Sequence, residues 1–212
     1  MDSIEKIIAE KSAPVVERAL HKTLGVTIKE LSDDITEKLK KNPLLEFNIN
    51  TNIPLRVAKK SFRKGYLEKA LKSHFGDISS VARILNVDRK TIHRMIAELH
   101  IDISDCRRAF VTEDYVKEEA VGRTIINALK NYEHILHPSK VGEAYANTSR
   151  ISEEIVKELN FSFISLKEAE KEFEKEYISA ALKENNNSLP KTAKKIGLSH
   201  EALYRKVKSL KL

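Results

Sequence analysis

The chain is poor in the residues that build most specialised sites: one cysteine, no tryptophan, six glycines and five prolines in 212 residues. A lone thiol, Cys106, can form neither an internal disulfide nor a cysteine-built zinc site, which fits a reducing cytoplasm. Scarce glycine and proline leave little material for tight hairpins, and aromatics are only 6% against 33% charged residues. That balance predicts an all-α protein, while 41% hydrophobic residues suffice to bury real cores. No run of about 18 apolar residues occurs, so no membrane span is expected. The opening residues alternate charge with apolar pairs and lack a signal-peptide core. Catalytic signatures are missing too: there is no nucleophile elbow, no H-E-x-x-H and no dinucleotide glycine fingerprint. His134 and His137 lie three apart without a third ligand at a useful spacing, so they predict a helix end rather than a metal site. No enzyme activity, cofactor or metal is expected.

What is present is concentrated in NSLPKTAKKIGLSHEALYRKVKSLKL, from Asn187 to Leu212. Ser188 is placed to cap a short helix, with Pro190 in its first turn, where a missing N–H costs nothing. Ala193 and Ile196 form its inner face, and Gly197 supplies a residue able to take positive φ. Ser199 then caps a second helix, in which Leu203, Val207 and Leu210 recur on one side. His200, Glu201, Tyr204, Arg205 and Lys208 face outward. From Leu189 onward seven Lys/Arg stand against one Glu, a small basic helix-turn-helix of the shape that enters a major groove.

Sliding the chain on itself by 111 residues lays Leu55–Ile101 over Leu166–Leu212 without a gap, with 12 identities in 47 positions. They include Phe62/Phe173, Tyr66/Tyr177, Ala70/Ala181, Ala82/Ala193, Arg94/Arg205 and Leu99/Leu210. The matches fall mainly on expected core positions, which predicts two copies of one small fold. Further upstream, Leu31-Ser32-Asp33-Asp34-Ile35 through Leu39 resembles Ile151-Ser152-Glu153-Glu154-Ile155 through Leu159.

These blocks resemble the Fis family of helix-turn-helix domains, also found as the DNA-binding tail of NtrC-class activators. The residues carrying the resemblance are the long helix Leu166–Glu184 with Phe173, Tyr177 and Ile178, then Asn187-Ser188, Thr192–Ser199 and Ala202–Val207. The first block departs more, with Asn86 in place of Gly197 and Asp88 in place of Ser199. No G-x-x-x-x-G-K-S/T occurs, so the ATPase module of NtrC-class activators is not carried over. The resemblance implies double-stranded DNA as partner and twofold pairing through the long first helices.

The organisation expected is an N-terminal helical segment (1–52), a first Fis-like unit (53–101), a central helical connector (102–163) and a second Fis-like unit (164–212). In detail, Ser3–Glu10 and Pro14–Leu24 read as two short helices, the second started by Ser12 and stopped by Gly25. Thr27 with Glu30 reads as a capping box for a helix to about Lys40. Ile101–Phe110 reads as a connector, and Thr112 to Leu136 as a long helix ended by His137-Pro138.

Charge locates the binding face. Residues 55–101 hold eleven Lys/Arg and four Asp/Glu, residues 166–212 hold eleven and seven, and the whole chain carries +7. The positive excess therefore belongs to the two blocks, as expected if they meet phosphates. In the second block the resemblance and the helix geometry expose Ser199, His200, Ala202, Tyr204 and Arg205; the matching first-block set is Asp88, Arg89, Thr91, His93 and Arg94. Arginine suits guanine edges and the threonine methyl suits thymine. Lys90, Lys194, Lys195, Lys206 and Lys208 are expected on phosphates. The reading is a cytoplasmic, nucleoid-associated, sequence-specific transcriptional regulator. An architectural DNA-bending protein and a protein–protein adaptor are the alternatives.

The copies could pair inside one chain, as a pseudo-dimer, or each with its counterpart in a homodimer. Leu166–Ser188 carries six Glu against four Lys, whereas the matching first-block stretch carries seven Lys/Arg against Glu68 and Asp77. Opposite signs favour the internal pair.

Overall fold

The computed structural model describes residues 2–24, 29–45, 47, 49–109 and 111–212, with side chains from Ser12 onward. Among the described residues the protein is all-α, with twelve helices and no strand. In chain order these are α1 (Asp2–Leu24), α2 (Lys29–Lys40), α3 (Leu55–Ser73), α4 (Ile78–Ile84), α5 (Arg89–Glu98) and α6 (Ile103–Arg108). There follow α7 (Glu113–Tyr132), α8 (Pro138–Ala146), α9 (Thr148–Glu158), α10 (Leu166–Glu184), α11 (Leu189–Ile196) and α12 (His200–Leu210). They gather into two compact units, and each unit takes one segment from either half of the chain: Met1–Glu46 with Thr112–Ser162, and Phe47–Val111 with Phe163–Leu212.

In the first unit α2 packs on α1 and α7, while α9 packs on α7 and α1. The upstream likeness in sequence is a likeness in burial. Leu31, Ser32, Ile35 and Leu39 are buried in α2, and Ile151, Ser152, Ile155 and Leu159 are buried at the matching places of and just after α9. Helices α1 and α7 agree in the same manner, through Val15/Ala120, Val16/Val121, Leu20/Ile125 and Leu24/Leu129, all buried. The α7–α9 approach is close: a Cβ on Gly122 would stand 3.1 Å from Ser152 Oγ.

Three local expectations change here. The two short N-terminal helices are one, because α1 runs straight through Pro14. Ser12 is buried inside it and Pro14 lies on its exposed side, and the ring removes one backbone N–H without ending the helix. The expected stop at Gly25 and cap at Thr27 lie outside the described residues. Helix α7 starts as expected, with Thr112 accepting the Tyr115 N–H at 3.2 Å, but it ends at Tyr132 and a turn leads to α8. His137 caps α8, its Nδ1 accepting the Ser139 N–H.

The second unit is built around α3 and α10, which pack on each other. Its helix bounds coincide under the 111-residue shift: Leu55/Leu166 and Ser73/Glu184 for the long helices, Ile78/Leu189 and Arg89/His200 for the starts of the shorter ones. The left-handed residues coincide as well. Phe75/Asn186, Gly76/Asn187, Asn86/Gly197 and His100/Lys211 all have φ between 51° and 73°. Short helices that must turn at fixed places keep these conformations even where the residue is not glycine.

The seam between α3 and α10 joins matched residues. Phe62 stacks on Phe173, with ring centroids 4.7 Å apart and planes 9° from parallel. The Tyr66 hydroxyl donates to the Ile164 carbonyl at 2.9 Å and accepts the Ile164 N–H at 3.0 Å. Reciprocally, the Tyr177 hydroxyl donates to the carbonyl of Ile53, the residue that matches Ile164. Burial pushes both phenols up, so they stay protonated donors. Beside the rings, Lys59 meets Glu174 at 2.7 Å and Glu170 at 2.8 Å, and Arg63 meets Glu170 at 2.6 Å. Lys59 matches Glu170 and Arg63 matches Glu174, so the cross-seam pairs are crossed copies of one another with the charges inverted. Burial acts to push both carboxyls up, but the hydrogen bonds and charges of Arg63, Lys59 and Lys206 outweigh it and hold them below the usual carboxylate range.

The expected connector after Ile101 contains a helix. Asp102 caps α6 by accepting the N–H groups of Ser104 and Asp105 at 2.7 and 3.3 Å, and α6 packs on α3. Cys106 is buried there, and burial pushes its thiol up, away from reactivity.

Candidate nucleic-acid interface

Helix α11 buries Thr192, Ala193 and Ile196 and ends at Gly197, whose φ of 73° lets the Leu198 N–H return to the Ala193 carbonyl at 2.9 Å. This is a Schellman closure, and it fixes the angle at which the next helix leaves. Ser199 caps α12 by accepting the Ala202 N–H at 3.2 Å. Leu203 and Leu210 anchor α12 to the core, and the opposite side carries His200, Glu201, Tyr204, Arg205 and Lys208 into solvent. Tyr204 is 54% exposed and lines a shallow open depression with His200, Glu201 and Arg205.

Helices α4 and α5 repeat the construction. Asp77 caps α4, accepting the Ser79 N–H at 2.9 Å and the Ser80 hydroxyl at 2.6 Å. Asn86, at φ 51°, closes the turn through a Val87 N–H to Ala82 carbonyl bond of 2.9 Å. Ile92, Met95, Ile96 and Leu99 hold α5 down, leaving Arg89, Lys90, His93 and Arg94 exposed and Thr91 half-buried. Two expected caps differ: Ser188 and Asp88 stand at N-cap positions, but neither side chain bonds the helix end.

The lysines divide into two groups. Lys195 pairs with Glu184 at 2.8 Å, and Lys206, half-buried, pairs with Glu174 of the seam. Lys206 matches buried Met95, so an ion pair docks α12 where a thioether docks α5. Lys90, Lys194, Arg89 and Arg94 make no ion pair among the described residues. Arg205 lends only its Nε to the Glu201 carbonyl, at 3.4 Å. These unpaired cations sit on the exposed faces of α5, α11 and α12.

Residues 171–210 match the family model of bacterial regulatory proteins of the Fis family. This segment is similar to the Fis-type helix-turn-helix. It spans most of α10 and all of α11 and α12, and so includes the exposed face just described. The match supports DNA binding and a regulatory role. No curated protein and no solved structure matches the chain. Among the described residues no helix is long and apolar enough to cross a membrane.

Proposed function

We propose that this protein is a sequence-specific, cytoplasmic DNA-binding regulator in which two Fis-type units of one chain, 53–101 and 164–212, form an internal pair. Helices α5 and α12 then read two major-groove half-sites, and segments 1–52 and 102–163 serve as scaffold. The observation that carries this reading is the α3–α10 seam, where Phe62 meets its own counterpart Phe173 and the tyrosine and ion-pair contacts are reciprocal. Pairing through the long helices is the arrangement a Fis-type unit needs to present two recognition helices.

The two reading faces differ: Arg89, Thr91 and His93 in α5 stand against His200, Ala202 and Tyr204 in α12, with Arg94 and Arg205 in common. The preferred DNA is therefore asymmetric, and α5 carries the stronger guanine- and thymine-reading set. Lys90 and Lys194 supply phosphate contacts, whereas the ion pairs of Lys195 and Lys206 give those two a structural role first.

Arg94→Ala and Arg205→Ala test the reading. Each is expected to weaken binding to a duplex selected from a random pool by about tenfold or more, in line with roughly 1–3 kcal/mol per base-reading arginine. Both side chains are exposed, so the thermal midpoint should stay put. Unchanged affinity in both variants contradicts the docking. Equal losses on every sequence with a steep salt dependence would point to an architectural protein, and no DNA retained by the parent chain to an adaptor.

A further inference from the structure

Glu201 is the acidic residue of an otherwise basic or neutral reading face. It occupies the second position of α12, where the matched residue of α5 is Lys90. Its side chain is exposed and its carboxylate makes no hydrogen bond or ion pair among the described residues. It lies in the shallow depression with His200, Tyr204 and Arg205, on the face that would meet DNA. A carboxylate there is repelled by phosphate, and it can only accept hydrogen bonds. In the major groove the donors offered to it are exocyclic amines, and the cytosine N4 amino group is the usual partner of an acidic side chain. Arg205, one turn further on, offers the complementary donors for the O6 and N7 of guanine.

We propose that Glu201 is a specificity-determining residue that accepts a hydrogen bond from a cytosine N4 amino group in the half-site read by α12, while Lys90 at the matching place of α5 contributes phosphate affinity. The proposal rests on the DNA-reading function proposed above and deepens it. One half-site then supplies most of the electrostatic attraction, and the other supplies a discriminating contact that penalises wrong bases. A first-turn glutamate also favours the helix start through the backbone dipole. That structural role alone would lower the thermal midpoint and leave base preference untouched.

The test uses the full chain and its Glu201→Lys and Glu201→Gln variants, with duplexes selected from a random pool and binding measured across a salt series. The parent chain should select an asymmetric site with a fixed cytosine in one half. Glu201→Lys should abolish that preference, bringing a selectivity of about tenfold or more close to one, and steepen the salt slope by about one. Glu201→Gln should shift the same position towards adenine, which an amide can engage on two atoms. If both variants select the parent sequence with an unchanged salt slope, Glu201 does not read a base and the inference fails while the function stands. A parent chain that binds DNA without any sequence preference also overturns the inference. One that retains no DNA overturns the function itself.

Discussion

Replacing Lys59 and Arg63 together with glutamate is expected to destabilise the protein by on the order of 3 kcal/mol, read as a lower urea midpoint. Removing one partner of a buried pair costs about 3–5 kcal/mol, and exposed pairs contribute well under about 1 kcal/mol. The seam lies nearer the first case on its acidic side: the Glu170 and Glu174 side chains are 14% and 13% exposed, while Lys59 and Arg63 are 28% and 30% exposed. The partial exposure of Lys59 and Arg63 alone would keep the loss below the buried range, and setting like charges against each other raises it to the lower end of that range. Adding Glu170→Lys and Glu174→Lys restores opposite signs and should recover most of the stability. Recovery should fall short of complete, because Glu174 also holds Lys206. If the double variant is as stable as the parent, the ions are rim decoration and do not select the pairing.

The same network sets a pH dependence whose sign can be worked out. Glu170 and Glu174 have carboxyls held below their ordinary value of 4.5, so their contribution is fully present above that value. It is lost as pH falls through the lower folded-state values. Lys59 is raised above its ordinary 10.5, so its contribution persists through neutral pH and is lost only in strong alkali.

The second large effect belongs to the ring stack. Phe173→Ala should cost about 3–5 kcal/mol, the usual loss for a buried phenylalanine, since Phe173 is 1% exposed and lies between Phe62, Phe47 and Tyr177. Phe62→Ala should cost slightly less, because Phe62 is 9% exposed. The stack supports both α3 and α10, so either substitution should weaken protection of both half-sites in a DNA footprint. Arg94→Ala, by contrast, should weaken one. Thermal unfolding beside the footprint separates these outcomes. A Phe173→Ala chain with parent-like stability and one weakened half-site would mean that the stack does not join the two reading helices.

Much of the second unit was legible because its signals are local. Left-handed positions fall on Gly197 and Asn86, the cap at Ser199 is legible directly, and a gapless match carries the long-helix bounds from one half to the other. The opposite charge of the two long helices was legible too, though the crossed pairing of Lys59 and Arg63 with Glu174 and Glu170 needed the fold. What stayed hidden depends on distant partners. Lys206 looked like a phosphate ligand because Glu174, which occupies it, lies 32 residues away. Helix α6 has six residues, too few to establish a period. The agreement of α1 with α7 mixes identities (Val16/Val121, Leu24/Leu129) with aliphatic exchanges such as Leu20/Ile125, too few matches to stand out along the chain, and α8 interrupts the spacing before α9. Pro14 reads as a break because proline usually is one, yet α1 continues through it.

The claim that one chain supplies both reading helices is tested most directly by light scattering of the protein bound to a duplex carrying two adjacent half-sites. One 24.2 kDa chain per duplex is expected, with protection confined to two successive major grooves. Two chains per duplex over a footprint about twice as long would contradict it.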